Sequence, residues 1–333
     1  MKTILLGCLL AAVFLPPLSA RTWTNRKGQS VEGDLVRMDG DAHVLVKIGI
    51  KEHRLAVSSL SEADQKWLKE HQQGEKQSGG SGAATLLGVK IKKGRNEIPM
   101  DTSSYPFSDE NREHSAKSTI FLYVPEGFDP TKKYNLMLTL GTTSGKGSKQ
   151  GNSIRHFADP GIANGWVVMT SDNVNGRPPD YSLEWRVEMI DAALDVLNKE
   201  WPASLEWNIC AGGSSGGAKA AQGVLAVMGS KQYGNRRIAG LFLTGCNQQV
   251  YTWGEGSSKP SRKTTRNVAV FFSQGKNDKT APPDRAKLVL EELKDTGIRT
   301  QKYVEFDGGH GVHAPHIAEA FRWLGEHCAG LEY

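Results

Sequence analysis

The apolar residues of the chain fall into two patterns that alternate from about residue 118 onward. Compact runs of Val, Ile, Leu and Phe predict strands at 118–124, 136–140, 166–169, 209–211, 238–243, 268–272 and 303–306. Apolar and small residues at helical spacing predict helices through 157–163, 185–197, 218–226, 284–293 and 317–324. Unbroken apolar runs are typical of strands buried on both faces. The sequence therefore predicts the α/β class, a mostly parallel sheet with helices on both faces.

Residues 21–71 show a different pattern. Short apolar runs, such as those at 44–48 and 55–57, are separated by turn residues, which predicts a small antiparallel barrel of short strands. Ser61 has the features of a helix N-cap, and Asp64 occupies the capping-box position of a short helix. We therefore expect a small all-β barrel module ahead of the α/β domain.

A polar segment separates these two patterns. Residues 72–84 read QQGEKQSGGSGAA and contain no large apolar side chain, a composition typical of a flexible linker. The predicted organisation is a module over 21–71, a linker over 72–84 and an α/β domain over 85–333.

The first twenty residues have the pattern of a secretory signal peptide. A positive start at Met1-Lys2 precedes an apolar stretch over 4–15, and the small residue Ala20 precedes the expected cut at Arg21. The apolar stretch is too short to span a bilayer. We expect a protein that is exported to a periplasm or beyond, with residues 1–20 removed and no transmembrane anchor.

Composition restricts the partners and the redox chemistry of the chain. It is 38% hydrophobic and 23% charged, and its net charge of +5 arises from 41 basic and 36 acidic residues that are mixed along the sequence. This argues for a globular domain and against a nucleic-acid partner. Beyond Cys8 the cysteines are Cys210, Cys246 and Cys328. They form no disulfide framework, although one bridge stays open, and we expect Cys210 and Cys246 to be buried small hydrophobes.

The stretch Trp207–Ala221 carries the first candidate chemistry. It reads WNICAGGSSGGAKAA, an apolar strand followed by a turn of Gly and Ser and then a helix, and it contains the G-x-S-x-G pattern of a nucleophile elbow. Two registers fit, with either Ser214 or Ser215 as nucleophile. We favour Ser215, because the Ser214 register would move the amide of Asn208 deeper into a buried strand. The alternative is a Gly/Ser-rich turn without chemistry.

A serine nucleophile needs a base and an acid that orients the base. Asp278 follows the strand 268–272, and His310 follows the strand 303–306 between glycines. The order Ser, acid, His is the order of α/β-hydrolase triads, and each residue lies beyond the carboxyl end of a predicted strand. Taken singly, Asp278 could be a turn or cap residue and His310 an ordinary loop histidine.

A metal centre is the other interpretation of the C-terminal histidines. His310, His313 and His316 lie close in sequence, but Pro315 interrupts any helix that would align them and no carboxylate cluster accompanies them. We predict neither a metal nor a cofactor.

The region from about Ile91 to the C-terminus resembles the α/β-hydrolase family, in particular its esterase and polyhydroxyalkanoate-depolymerase-like members. The matching segments are YVPEGFDPTKKY, GSSGGAK, GKNDKTAPP and GGHG. The resemblance implies a serine hydrolase with Ser215, Asp278 and His310 as its triad. Such enzymes usually carry His-Gly after the strand that ends here at Leu140, whereas this chain has Gly141-Thr142. The backbone N–H of Thr142, together with that of Gly216, would form the oxyanion hole.

Residues 21–71 resemble the Sla-one homology domain, a small barrel akin to the Src-homology-three fold. The likeness rests on Arg21-Thr22-Trp23-Thr24, on Gly28 and on Leu60-Ser61-Glu62-Ala63-Asp64. It implies an adaptor module that binds a protein or cell-surface partner. The alternative is a module that only packs on the second domain.

Two functions follow from these residues. The first is a secreted serine esterase that acts through an acyl-enzyme on a small-molecule or polymer-linked ester, where acyl esters, sugar-linked esters, polyesters and peptides all stay open as substrates. The second is a binding or scaffold protein on a catalytically weak or inactive hydrolase fold.

Overall fold

The computed structural model describes residues 21–39, 43–48, 51–77, 84–109, 112, 117–142, 150–173, 183–252 and 259–331. It divides the chain into two compact units, Met1–Gly82 and Ala83–Tyr333. The predicted signal peptide 1–20 lies outside the described residues. Over the ranges that are described, no helix has the length and apolar character needed to cross a membrane.

The first unit contains an antiparallel sheet in the order β1-β2-β3-β4. Its elements are β1 (Arg21–Thr24), β2 (Ser30–Asp39), β3 (His43–Ile48), β4 (Lys51–Ala56), a 3₁₀ turn (Val57–Ser59) and helix α1 (Glu62–Gln77). Among the described side chains of this unit, the buried apolar ones are those of Trp23, Val44, Val46, Leu60 and Leu68. The four strands follow one another as neighbours in the sheet, and the closure of a barrel stays a prediction.

Asp64 joins strand β1 to the start of helix α1. The Asp64 N–H donates to Ser61 Oγ at 3.2 Å, so Ser61 caps the helix as predicted, and the Ser61 hydroxyl donates to Asp64 Oδ2 at 2.9 Å. The Ser61 N–H donates to the carbonyl of Thr24 and not to Asp64, so the reciprocal half of the capping box is not formed. The backbone N–H of Thr24 donates to Asp64 Oδ2 at 2.8 Å, and the Arg21 guanidinium pairs with Asp64 Oδ1. Arg21 also lies over the Trp67 ring at 3.9 Å. The segments 21–24 and 60–64 therefore meet around one buried carboxylate.

Helix α1 extends beyond the end predicted for the module. It runs to Gln77, six residues past His71, and so occupies the first part of the segment 72–84 that the sequence analysis assigns to a linker. The extension is rich in Glu, Lys and Gln, which are good helix formers. Residues 78–83 lie outside the described residues, so the linker that they would form stays a prediction.

The second unit is built on an eight-stranded sheet in the order β14-β13-β12-β11-β9-β10-β8-β7, next to a two-stranded hairpin β5-β6. The strands are β5 (Thr85–Leu86), β6 (Val89–Lys90), β7 (Gly94–Asp101), β8 (Lys117–Val124), β9 (Asn135–Leu140), β10 (Val167–Asn173), β11 (Asn208–Ser214), β12 (Ile238–Thr244), β13 (Ala269–Gly275) and β14 (Thr300–Phe306). The α-helices within the described ranges are α2 (Ala158–Ala163), α3 (Leu183–Glu200), α4 (Gly216–Met228), α5 (Arg262–Arg266), α6 (Pro283–Thr296) and α7 (Ala314–Ala329). The 3₁₀ helices are Gln150–His156, Pro202–Glu206 and Lys231–Tyr233.

Strands β10, β9, β11, β12, β13 and β14 are parallel, whereas β8 pairs antiparallel with both β7 and β10. The prediction of a mostly parallel sheet is confirmed. The strand order is consistent with the α/β-hydrolase-like fold that the resemblance implies.

The side chains of the central strands alternate between two apolar cores. On β13, Val270 and Phe272 belong to the core that also contains residues of α3, α4 and α6. Phe271, between them, belongs to the core that contains residues of α7. Because neighbouring residues of a strand point to opposite faces, the sheet is covered on both sides.

The antiparallel edge strand β7 was not predicted. Its buried residues, which include Ile98 and Met100, alternate with exposed polar ones. This period of two is the pattern of a half-buried strand, but Pro99 within it weakens the signal.

The carboxylate of Asp64 should make the stability of the first unit depend on pH. Burial alone would raise the pKa of Asp64, but the hydrogen bonds from Arg21, Thr24 and Ser61 outweigh it and hold that pKa below 3.8. A lowered pKa stabilises the fold above pH 3.8, and this contribution is lost as the pH falls through the folded-state pKa. We expect Asp64→Asn to destabilise the unit at pH 6 by about 1–3 kcal/mol and to remove this dependence.

Hydrogen exchange over residues 21–69, corrected for the intrinsic effect of pH, measures both changes. Glu62→Gln, which alters an exposed carboxylate in the same helical turn, is the control. Equal protection in the wild type and the Asp64→Asn variant at pH 6 would contradict this account.

Candidate active site

Ser215 occupies the turn between β11 and helix α4 in a strained backbone conformation. Its φ is 55° and its ψ is −122°. Residues other than glycine rarely adopt a positive φ, and such backbone strain is concentrated at functional sites. Ser214, the alternative nucleophile, is the last residue of β11. The strain therefore falls on the serine that the preferred register selects, and the nucleophile itself stays a prediction.

Glycines on both sides of Ser215 allow three chain segments to meet. A Cβ on Gly213 would overlap the backbone of Gly217, and a Cβ on Gly217 would overlap the carbonyl oxygen of Leu140. These glycines are two residues before and two residues after Ser215, the spacing of the G-x-S-x-G pattern. Asn208 begins β11, where it is half-buried and its side chain donates to Asn135 Oδ1 at 3.0 Å.

Asp278 lies in a tight turn just beyond β13. Its Oδ1 accepts hydrogen bonds from the N–H groups of Thr280 and Ala281, each at 2.8 Å, and its side chain is 1% exposed. Burial alone would raise the pKa of Asp278, but the hydrogen bonds from Ala281, His310 and Thr280 outweigh it and lower that pKa. The carboxylate is therefore charged at neutral pH.

His310 lies on the loop after β14 and meets Asp278. Its Nδ1 donates to Asp278 Oδ2 at 2.8 Å, while its side chain is 30% exposed. The two loops are also joined by their backbones, since Asn277 N–H donates to the carbonyl of Gly308 at 2.9 Å. This hydrogen bond leaves His310 Nε2 as the nitrogen available for proton transfer.

Thr244, which the sequence analysis did not identify, connects the serine turn to the histidine loop. It is the fully buried last residue of β12. Its carbonyl accepts from Ser215 N–H at 2.9 Å, and its hydroxyl donates to the carbonyl of Gly311 at 3.0 Å. The next residue, Gly245, has a φ of 55°, and a Cβ there would lie 2.9 Å from His310 Cε1. The only sequence signal was a Thr-Gly pair at the end of a predicted strand.

The structure thus brings Asp278 and His310 into direct contact and holds Ser215 next to them through Thr244. Within the described ranges, no hydrogen bond joins the Ser215 hydroxyl to the His310 ring. Catalytic hydrogen bonds are often long in free enzymes and shorten when substrate binds.

Gly216 and Thr142, the two predicted oxyanion donors, lie on different segments of the chain. Gly216 is the first residue of α4, where backbone N–H groups have no partner in the helix and the helix dipole favours an anion. Thr142 is half-buried, two residues beyond β9. The close approach of Gly217 to Leu140 brings these segments together. Residues 143–149 lie outside the described residues.

His313, His316 and the cysteines have structural contacts. His316 Nδ1 lies 2.8 Å from Ser273 Oγ, and the His313 ring stacks on Phe306 with 4.9 Å between the ring centres. The part of the chain described here contains no group of three or more His, Cys, Asp or Glu side chains that could hold a metal ion. Cys210 and Cys246 are buried free thiols, as predicted, and so is Cys328, whose Sγ lies 4.0 Å from that of Cys210.

No protein-family model matches the sequence, and no curated protein matches it. Among solved structures, a ferulic acid esterase aligns at 14% identity over 72% of this chain and 99% of that chain, with a TM-score of 0.47. A butyrate-bound esterase of the Planctomycetes species Thermogutta terrifontis aligns at 15% identity over 63% and 89%, with a TM-score of 0.46. The Bacillus cereus carboxylesterase aligns at 18% identity over 62% and 93%, with a TM-score of 0.44. These structural neighbours are esterases, but likenesses this weak carry no argument about the present chain.

Gly245 provides a direct test of the packing around the imidazole. We expect Gly245→Ala to displace His310 from Asp278, because the new methyl group would crowd Cε1 and Nδ1 of the ring. The measurement is the strongly deshielded proton resonance of the Nδ1–H in the His310–Asp278 hydrogen bond. That resonance should disappear or shift in the Gly245→Ala variant.

The matched control is Gly234→Ala. Gly234 also has a positive φ, of 79°, but a Cβ there would meet nothing within 4 Å. This variant carries the backbone strain without the contact and should keep the wild-type resonance. An unchanged resonance in Gly245→Ala would show that Gly245 does not constrain the ring.

Proposed function

We propose that this chain is a serine hydrolase of carboxylic esters, with Ser215 as nucleophile, His310 as general base and Asp278 as the acid that orients it. The observation that carries the proposal is the His310–Asp278 hydrogen bond of 2.8 Å beside the strained turn of Ser215. A hydroxyl becomes nucleophilic when a positioned base removes its proton. The charged Asp278 stabilises the imidazolium that results.

In the first half-reaction, Ser215 Oγ attacks the ester carbonyl carbon as its proton passes to His310 Nε2. The carbonyl oxygen becomes an oxyanion that accepts hydrogen bonds from the N–H groups of Gly216 and Thr142. Collapse of the tetrahedral intermediate breaks the ester C–O bond, and the leaving alcohol takes the proton from His310. The product of this step is an acyl-enzyme on Ser215.

In the second half-reaction, water replaces the alcohol. His310 takes a proton from water as the oxygen attacks the acyl carbon, and the oxyanion again lies against Gly216 and Thr142. Collapse returns the proton to Ser215 Oγ and releases the carboxylic acid. One ester and one water therefore yield one alcohol and one acid.

A catalytically weak or inactive scaffold protein is the second candidate. The observations in its favour are the Gly141-Thr142 sequence at the oxyanion loop and the lack of a hydrogen bond between the Ser215 hydroxyl and the His310 ring in the described structure. An activated serine reacts with a fluorophosphonate probe and an inert one does not, so labelling separates the two candidates.

Export and partner binding complete the proposal. The pattern of residues 1–20 supports secretion or transfer to a periplasm. The resemblance of the first unit to an adaptor module supports a protein or cell-surface partner, and an open groove beside Trp23 that includes Arg26 and Lys27 is the surface to alter in a binding assay.

The two serines of the elbow should respond very differently to substitution. We expect Ser215→Ala to abolish fluorophosphonate labelling and to lower kcat on a nitrophenyl ester by several orders of magnitude, since it removes the nucleophile. Ser214→Ala should cost far less, because Ser214 ends the strand without the strained conformation. Mass spectrometry of the labelled peptide identifies the modified residue, and a phosphonate on Ser214 would reverse the assignment.

The second unit should act without the first on small soluble esters. A chain that begins at Ala83 retains every described residue of the sheet and of the proposed triad. We expect its kcat and KM on a nitrophenyl acetate to stay within about threefold of the full chain, because compact units with their own core fold independently. Loss of soluble folded protein on truncation would show that the first unit belongs to the hydrolase core.

A further inference from the structure

Arg186 is a buried cation directed at the candidate oxyanion loop. It lies in the first turns of helix α3, its residue exposure is 1%, and its Nη1 donates to the carbonyl oxygen of Gly141 at 2.8 Å. Removing a guanidinium from water is costly unless the charge is satisfied. Glu188 and Asp191 of the same helix are also buried, and the Gly141 carbonyl is one of the groups that Arg186 contacts.

Because a peptide bond is planar, the hydrogen bond from Arg186 to the Gly141 carbonyl also affects the N–H of Thr142. The carbonyl of Gly141 and the N–H of Thr142 belong to the same peptide unit, and the described residues contain no cis peptide. In a planar trans unit the C=O and the N–H point in opposite directions. Arg186 therefore fixes the direction of the Thr142 N–H by holding the other end of the same plane.

The contact also constrains a peptide that could otherwise rotate. Glycine tolerates a wide range of backbone angles, so the unit that follows Gly141 can turn over at little cost unless something holds it. Gly217 packs against the backbone at Leu140 and Gly141 on the side of helix α4. Arg186, on helix α3, binds the carbonyl of Gly141. The loop therefore has contacts with two helices.

The charge of Arg186 adds an electronic effect to the geometric one. A cationic donor on a carbonyl polarises the peptide unit, and hydrogen bonds in such a chain strengthen one another. The Thr142 N–H thus becomes a better donor to a developing oxyanion.

We infer that Arg186 is the positioning residue of the oxyanion hole, acting through the Gly141–Thr142 peptide to aim and polarise the Thr142 N–H. This inference rests on the proposed function, because it assigns a part to Arg186 within the same site. It accounts for a working oxyanion loop that lacks the His-Gly pair.

The test compares Arg186→Met and Arg186→Lys with the wild type on a nitrophenyl ester. Loss of one oxyanion donor typically costs 10²–10³-fold in rate. We expect Arg186→Met to lower kcat by about 10²-fold with KM within about threefold, since the N–H acts on the transition state and hardly on bound substrate. Arg186→Lys keeps a charge and one donor and should lose about tenfold. The affinity for a boronic acid that forms a tetrahedral adduct with the serine should fall in parallel with kcat.

Arg236→Met is the matched control. Arg236 is also a largely buried arginine that contacts helix α3, where it pairs with Asp191 and Asp195. Its loss should lower the melting temperature while kcat stays within about threefold of the wild type. A purely structural role for Arg186 would give this same result.

The outcomes separate the inference from the proposed function. A wild-type chain that neither hydrolyses esters nor reacts with fluorophosphonate would overturn the proposed function. An active wild type together with a folded Arg186→Met variant of unchanged kcat would overturn only the inference, and so would a raised KM at constant kcat. Should Arg186→Met fail to fold, Arg186→Lys decides: wild-type kcat there contradicts the inference, and a tenfold loss at constant KM supports it.

Discussion

The candidate site depends on one close approach of backbones. Strand β11, the first turn of helix α4 and the end of β9 meet so tightly that Cβ atoms on Gly213 or Gly217 would overlap neighbouring backbone. The chain passes from strand to helix through the single residue Ser215, which takes the strained φ of 55°. The same close approach brings the loop at Gly141 next to the N-terminus of α4. The serine and the proposed oxyanion donors are therefore placed by the same packing constraint, which larger residues would break.

Asp278 is buried and His310 is partly exposed, which suits their proposed roles as acid and base. The carboxylate of Asp278 is buried, and its Oδ1 accepts hydrogen bonds from two backbone N–H groups, so the carboxylate stays charged and fixed. His310 is held by that carboxylate through Nδ1, and its side chain is partly exposed to solvent. A proton carrier must reach both the serine and an incoming water, whereas the group that orients it gains from rigidity.

Local signals explain how much the sequence could predict. Parallel strands such as β13 are buried on both faces and so read as unbroken apolar runs, whereas β7 at the antiparallel edge alternates and was missed. Ser215 and His310 each lie in a glycine-rich turn after a strand, and Asp278 lies in a polar loop after a strand, so all three carry a local signal. Thr244 is marked only by the Thr-Gly pair at a strand end and Arg186 by nothing, because their roles arise from contacts with residues 29 and 45 positions away. Such contacts exist only after the sheet has formed.

Rigid elements, more than loops, set the distances within this site. Thr244 ends β12, a strand with partners on both sides, and it binds the serine turn with its carbonyl and the histidine loop with its hydroxyl. Arg186 extends from helix α3 to the loop after β9. A central strand thus sets the spacing between the serine turn and the histidine loop, and a helix sets the direction of the proposed oxyanion donor. The strand and the helix thus set the direction of these groups, while the glycines of the serine turn allow the segments to come close enough for the contacts to form.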